Sequence, residues 1–455
     1  MGFLMNSSKF IGNFSNLFNC EVSNLPLNYL GLPLTQHRPG RQEFQPLIDK
    51  MQSKLEGWKS ALLSRAGRLV LANAVLSSIP VFYMSVFRLP KWVIKEIDKI
   101  RRQFIWGRNI SSNNPSGRGM PLLAWDRVCL PKKAGGFGII NLRMHNVTLL
   151  LRWWWKNYHD PESQWAKITK NLYGKRDSNI PPIGWKKEGS FFWKDLMALR
   201  FYFQISTVTN VLSGKQTLFW FDNWASQRLC YFGAENEISA RRCITLCDAL
   251  PIWKQLPPAP HTLKNFMVAE IASQFQLTQG NDHLIWRWNA NGNYTASSVY
   301  RTLILAGKTT FPLKNIWKLK VTPSIKCFLI LLAHGRILTQ DSLQRRGIAF
   351  EENCVLCDQQ LLETPSHLFF SCPISNEIWR YLSNRTGFNL PQMNDSCINI
   401  LVKLFQSAGT DSFHSTIIAT ACWAIWLERN NRCFRGEFRG TSAVQDWIVS
   451  EATFF

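Results

Sequence analysis

Cys354-Val-Leu-Cys357, then nine residues, His367, four more residues and Cys372 make a four-ligand set inside a single short stretch. A Cys-x2-Cys pair lets two thiolates reach one metal from a single turn, and His-x4-Cys supplies the second pair from one helical turn or loop. It is the one place in the 455 residues where all four tetrahedral positions can be filled locally. The expectation is one structural Zn2+ on Cys354, Cys357, His367 and Cys372, with Cys327 and Cys397 outside the site. The blander reading is that among twelve cysteines some fall close together and Cys354 and Cys357 are half-buried thiols; the His and the third Cys at ligand spacing weigh against it.

Charge changes sign across this set. Residues 314–350 hold seven Lys/Arg and one Asp, whereas residues 351–380 hold one Arg and five acids. The knuckle itself should therefore grip phosphate poorly and act as a clip for the basic segment before it, which carries Lys318, Lys320 and Lys326. Over the whole chain 53 Lys and Arg stand against 30 Asp and Glu, a net +23. A field of that sign favours a polyanionic partner, with nucleic acid ahead of an anionic membrane surface.

A second basic block lies at residues 38–108, with fourteen Lys/Arg against five acids. After Pro90 its periodicity is helical. Val93, Ile97, Ile100 and Phe104 fall on one face, and Lys91, Lys95, Lys99 and Arg102 on the other. The basic stripe is a candidate for contact with an RNA or DNA backbone, and the blander reading is an ordinary solvated face. Residues 69–87 carry no charge, which is the length of a membrane span. Asn73, Ser77, Ser78, Pro80 and Ser85 interrupt that run, so it reads as a buried core helix ending near Pro80.

The first residues have no basic region followed by an apolar run, so no secretory signal is read, and Asn6 stands where a myristoylation motif needs Ser or Thr. The protein is expected inside the cell, nuclear or cytoplasmic, not secreted and not in a membrane. Its thiols are then reduced and suited to metal. The double glycine in Pro131-Lys-Lys-Ala-Gly-Gly-Phe-Gly138 resembles a phosphate-cradling loop only faintly and lacks its Lys-Ser/Thr ending. Helices are expected at residues 141–158, 297–306 and 326–335. Short aromatic strands such as Thr217-Leu-Phe-Trp-Phe221 and a Pro-rich linker at 256–260 break the region between. Most of the twenty tryptophans are assigned to core packing. No nucleophile elbow and no His-Glu-x-x-His appears, and His334 and His414 sit beside apolar residues like ordinary half-buried histidines.

The order of several motifs carries a resemblance. Tyr29-Leu-Gly-Leu-Pro-Leu34, Gly57-Trp-Lys59, Leu63-Ser-Arg-Ala-Gly-Arg68, Phe104-Ile-Trp-Gly107, Pro131-Lys-Lys133 with Gly135-Gly-Phe-Gly138, and Phe219-Trp-Phe-Asp-Asn-Trp224 resemble the region after the catalytic palm in plant LINE-type (non-LTR) retrotransposon reverse transcriptases. Gly292-Asn-Tyr294, Ile316-Trp-Lys318, Pro323-Ser-Ile-Lys326 and the Cys-Cys-His-Cys set are similar to that family's zinc-binding domain. The resemblance spans roughly residues 26–435.

It implies a mainly α fold with minor β, divided into a palm remnant at 1–36, a basic helical thumb-like domain at 37–158 and an irregular aromatic linker domain at 159–260. A small zinc-binding domain at 261–385 and a helical tail at 386–455 would follow. The family's polymerase holds two Mg2+ on an aromatic-x-Asp-Asp turn of the palm. The sequence has no Asp-Asp pair, and no acidic quartet for a ribonuclease H domain is read after Trp423-Ala-Ile-Trp-Leu-Glu-Arg-Asn430. The expectation is a truncated fragment that binds zinc and, without sequence preference, RNA or DNA, and that is not an enzyme. A domesticated adaptor using its Trp-rich surfaces and zinc clip to hold a protein partner is the alternative.

Overall fold

The structure is a computed structural model. It describes residues 25–56, 63–107, 120–174, 185–225, 228–229, 238, 244–255, 263–307, 311–348, 353–357, 359–392 and 395–454. The Gly57-Trp-Lys59 motif, the polar stretch at 109–119, the Pro-rich linker at 256–260 and most of the expected palm remnant lie outside the described residues.

The described chain is mainly α with minor β. In order come β1 (Leu27–Tyr29), β2 (Leu32–Leu34), α1 (Arg41–Glu56), α2 (Arg65–Leu71), α3 (Val81–Val86), α4 (Lys91–Trp106), α5 (Leu142–His159), α6 (Gln164–Tyr173) and α7 (Phe191–Ser206). They are followed by β3 (Thr207–Asn210), α8 (Leu246–Gln255), α9 (Leu263–Gln274), β4 (His283–Trp286), α10 (Ala296–Leu305), α11 (Pro323–Ala333), α12 (Pro373–Thr386), α13 (Cys397–Ser407), α14 (Ser412–Arg435) and α15 (Thr441–Phe454). Helix starts follow local chemistry. Ser64, Ser163, Ser190, Thr322, Ser396 and Asp411 each accept a first-turn backbone N–H, satisfying one of the four orphan donors there.

The apolar run at 69–87 is not one helix. α2 widens into a π turn at Ala72–Leu76, and Pro80 caps the start of α3 instead of simply ending the first helix. Ser77 Oγ donates to Ala72 O at 2.8 Å, so this buried hydroxyl is satisfied inside the core.

By its internal contacts the chain divides into two compact units, Met1–Gln52, Pro80–Ile94 and Asn146–Val299 in the first and Ser53–Ile79, Lys95–His145 and Tyr300–Phe455 in the second. Aromatic rings hold the first unit. Trp154 and Trp193 are fully buried with centroids 5.3 Å apart, and Trp154 Nε1 donates to Leu196 O at 2.9 Å. Phe44 on α1 meets Phe87 and Trp92 edge-on. Asn146 stitches their loop in place, accepting from Leu89 N and donating to Met84 O and Phe87 O, each at 2.8 Å. β3 pairs with β4 in antiparallel register, Thr207 opposite Trp286.

The aromatic stretch at 217–221 is a buried turn, not a strand, with one isolated bridge from Leu218 to Thr245. Asp222 is the cause. Its Oδ2 accepts Leu218 N at 2.7 Å while its own N–H donates to Leu218 O, which closes the segment on itself and sends Phe219 and Trp220 into the core. Asp282 fastens the preceding loop by accepting from Leu212 N, Gly214 N, Gln216 N and Thr217 Oγ1.

In the second unit α11 is buried nearly all round and packs against α13, α14 and α2. The Pro131–Gly138 motif is a packing device. A Cβ at Gly135, where φ is +75°, would collide with the Phe311 ring, and one at Gly136 with Leu130 O. Trp317 Nε1 donates to Gly136 O at 3.1 Å, and His334 Nε2 lies 3.1 Å from Gly135 O. The glycines thus allow the close approach of a ring and do not cradle a phosphate.

Candidate metal centre

Two local structures bring the ligands together. Cys354 N donates to Leu361 O at 2.8 Å, and Asn353 bridges Leu362, so the first Cys pair sits on a tight antiparallel loop. The second pair depends on a π turn at His367–Ser371, closed by Cys372 N donating to His367 O at 2.7 Å. In an α-helix, residues five apart point roughly 140° away from each other. The wider turn carries His367 and Cys372 onto one side. Cys372 then caps α12, with Pro373 in its first turn.

The four ligand atoms lie within 4.8 Å of one another, and Cys357 Sγ is 3.4 Å from His367 Nε2. Tetrahedral zinc with bonds of about 2.0–2.3 Å separates its ligand atoms by roughly 3.5–3.8 Å, so the cluster fits the ion with little adjustment. The electrostatics fit too. The Cys372 thiol is held down to about 5, first by the hydrogen bond from Cys354 and then by the Ser375 and Ile374 N–H groups at the start of α12. Cys354 is pushed well up by donating that bond and by burial, and Cys357 is raised by burial. A dication at the centre supplies the charge that lets all three sulfurs ionise. Cys327 and Cys397 lie outside the cluster, their thiols pushed up to about 12 by burial.

A buried ion pair supports the loop, and charge counting misses it. Glu363 and Arg429 have side chains 0% and 2% exposed, and Arg429 Nη2 donates to Glu363 Oε1 at 2.7 Å, with Nε sharing both oxygens. Gln340 N also donates to Glu363 Oε1. Arg432 Nη1 reaches Leu356 O at 3.2 Å. Glu363, one of the acids that by composition make the knuckle repel phosphate, is internal and neutralised. The signal for it is the Glu-Arg-Asn run at 428–430, whose partner lies 66 residues away.

The basic candidates behave unequally. Lys91, Lys95, Lys99 and Arg102 are exposed on α4, while Val93 and Ile97 opposite them are 0% exposed and Ile100 and Phe104 are buried. Lys99 meets Glu96 at 3.4 Å on the surface, and the Arg102 guanidinium lies 5.8 Å over Trp125. Lys318 and Lys320 are exposed, but Lys326 is half-buried and donates to Trp317 O at 3.3 Å. Burial first, then the nearby Lys132 ammonium, lowers its pKa. Arg101, next to the stripe, is internal, donating to Asp98 Oδ1, Ser77 Oγ and Ile140 O. His334 and His414 hold backbone carbonyls. Among the described residues no helix is long and apolar enough to cross a membrane.

Fold and cluster define a helical protein clipped by a Cys-Cys-His-Cys metal site. Residues 294–379 match the family described as zinc-binding in reverse transcriptase. A protein named "Putative ribonuclease H protein" of Arabidopsis thaliana is 27% identical over 447 residues, 92% of this chain and 69% of that relative. An "Uncharacterized mitochondrial protein" of the same plant is 25% identical over 149 residues, 32% of this chain and 92% of the relative. The chain carries a reverse-transcriptase zinc-binding domain. With its relatives, this supports the motif-based recognition of the C-terminal region of a non-LTR retrotransposon reverse transcriptase.

Proposed function

We propose that this retroelement-derived chain binds RNA or DNA through the phosphate backbone, without base preference, and has no polymerase centre of its own. Zn2+ on Cys354, Cys357, His367 and Cys372 is structural in this reading. The face of α4 carries the proposal. Four cations stand in water opposite four core residues, and among the described residues Lys91 and Lys95 have no ion pair. Lys318 and Lys320 supply further phosphate contacts, with Lys326 a weaker contributor. Residues 37–158 act as the thumb-like block, 159–260 as the aromatic linker, 261–385 as the zinc domain and 386–455 as its helical tail, working in the nucleus or cytoplasm.

The test is anisotropy of a labelled RNA titrated with the zinc-loaded chain at rising salt. Log affinity should fall linearly with log salt, by roughly 0.7–0.9 per phosphate contact, and a flat line would overturn the reading. The same preparation should extend no primer with Mg2+ or Mn2+, because no paired aspartates are present to hold the ions.

A protein-binding adaptor is favoured by one feature of the first unit. An apolar groove of about 340 Å3 is lined by Tyr29, Leu34, Phe82, Val86, Phe191 and Phe192, with Tyr29 58% and Phe82 50% exposed. Capture of a partner that survives high salt and is lost on Phe82→Asp would support that second reading.

A further inference from the structure

Two phenylalanines stand in solvent where α14 turns into α15. Phe434 is 64% exposed and Phe438 72%. Each ring is backed on one face by a guanidinium, Arg429 Cζ at 5.8 Å from Phe434 and Arg432 Cζ at 5.3 Å from Phe438. A cation behind a ring holds it in place and leaves the other face free.

The corner is anchored to the rest of its unit. α14 ends at Gly436 in the left-handed region, and Arg439 N donates to Glu428 Oε1 at 3.0 Å. Arg432 Nε donates to the same oxygen at 2.7 Å and its Nη1 reaches the knuckle at Leu356 O, so the rings stand next to the metal centre. Beside them is a cleft of about 230 Å3, lined among others by Glu428, Asn431, Arg435, Arg439 and Trp447. Glu428 is 4% exposed, and its Oε2 has no hydrogen-bond partner among the described residues.

We propose that this corner is a stacking platform for the unpaired bases of single-stranded nucleic acid. Phe434 and Phe438 take base faces, and Arg435 and Arg439 take backbone phosphates. The proposal rests on the nucleic-acid reading above and deepens it by adding a site specific for single strands. Charge selects this occupant over a protein surface: Arg435 and Arg439 are exposed and have no ion pair among the described residues, against one exposed acid, Glu437, while Arg429 and Arg432 are already paired with Glu363 and Glu428. Exposed rings flanked by cations are how proteins hold single strands without base preference, and a duplex, whose base faces are already stacked, gains nothing from them.

The test compares the full zinc-loaded chain with Phe434→Ala/Phe438→Ala and Phe434→Trp/Phe438→Trp, using labelled oligodeoxycytidine and a labelled duplex as probes. The Ala pair should lose at least about tenfold in affinity for the single strand, with duplex affinity, salt slope and zinc content unchanged, and the Trp pair should restore it. Equal oligodeoxycytidine binding by all three proteins would overturn the platform and leave the rings to a protein partner. An equal loss on both probes would overturn it as well. If the unmodified chain binds neither probe, the broader nucleic-acid reading falls with it.

Discussion

Around Cys354 the chain gathers three sulfurs, an imidazole and one buried ion pair within a small volume, whereas around Trp193 it stacks rings from several segments. Tyr173 lies on Trp193 at 4.2 Å, and Trp154 and Trp185 follow at 5.3 and 5.7 Å. The first arrangement has few interactions, each strong and charge-dependent. The second has many, each modest and indifferent to ions. Damage should therefore be all-or-none at the knuckle and graded in the aromatic unit.

Metal removal is the largest expected effect. Structural zinc in small modules contributes about 10 kcal/mol or more, so chelation should release amide protection in α11 and α12 while the rings around Trp193 keep theirs. Hydrogen exchange reads both regions in one sample, and uniform protection after the zinc has left would break the contrast. Next comes the reverse experiment. Trp193→Ala should cost the first unit about 3–5 kcal/mol in a denaturant titration, with one zinc per chain still bound. Loss of zinc in that variant would show that the two regions are not independent.

The ion pair sharpens the knuckle side. Arg429→Met alone should cost about 3–5 kcal/mol by leaving Glu363 charged and buried, and Glu363→Leu/Arg429→Met together should cost clearly less. A double variant as unstable as the single one would mean that Glu363 matters through the Gln340 N–H and not through Arg429.

A smaller, pH-dependent effect belongs to the aromatic side. Burial raises the Asp222 carboxyl to about 7, with Asp282 adding to the shift, while the Leu218 N–H and Arg228 oppose it, and Tyr158 faces the same two carboxyls. A raised folded value means that the unfolded chain ionises first. Stability of the first unit should therefore fall as pH rises from about 4 to about 7 and level off above that. Asp222→Asn, which keeps an acceptor for Leu218 N, should flatten the slope, and an unchanged pH profile would exclude this carboxyl as its source.

What can be read from sequence follows the same divide. The ligand spacing is legible because a zinc site is local in sequence, and the apolar and basic faces of α4 are legible because helical periodicity is local too. The π turn that makes His-x4-Cys work is not, since its hydrogen bond leaves no mark in composition. Thr217-Leu-Phe-Trp-Phe221 reads as a strand because aromatic runs favour strands, but Asp222 folds back onto Leu218 and overrides that preference. By composition Arg101 and Glu363 count as surface charge. Arg101 has its counter-ion three residues back in Asp98, but its bonds to Ser77 and Ile140, like the Arg429 partner of Glu363, reach across the sequence, and only the folded chain shows that these charges are held inside. The net field of the surface is thus set by fewer residues than the composition suggests, and Lys91, Lys95, Lys99 and Arg102 carry more of it.

The most direct measurement replaces those four residues by Gln and follows RNA affinity against salt, with zinc content and thermal melting read on the same samples. The expected result is an intact, zinc-bearing protein that binds every sequence more weakly, with a salt slope flatter by roughly 0.7–0.9 for each phosphate no longer engaged. Unchanged affinity and an unchanged slope would contradict the assignment of α4 to the phosphate backbone.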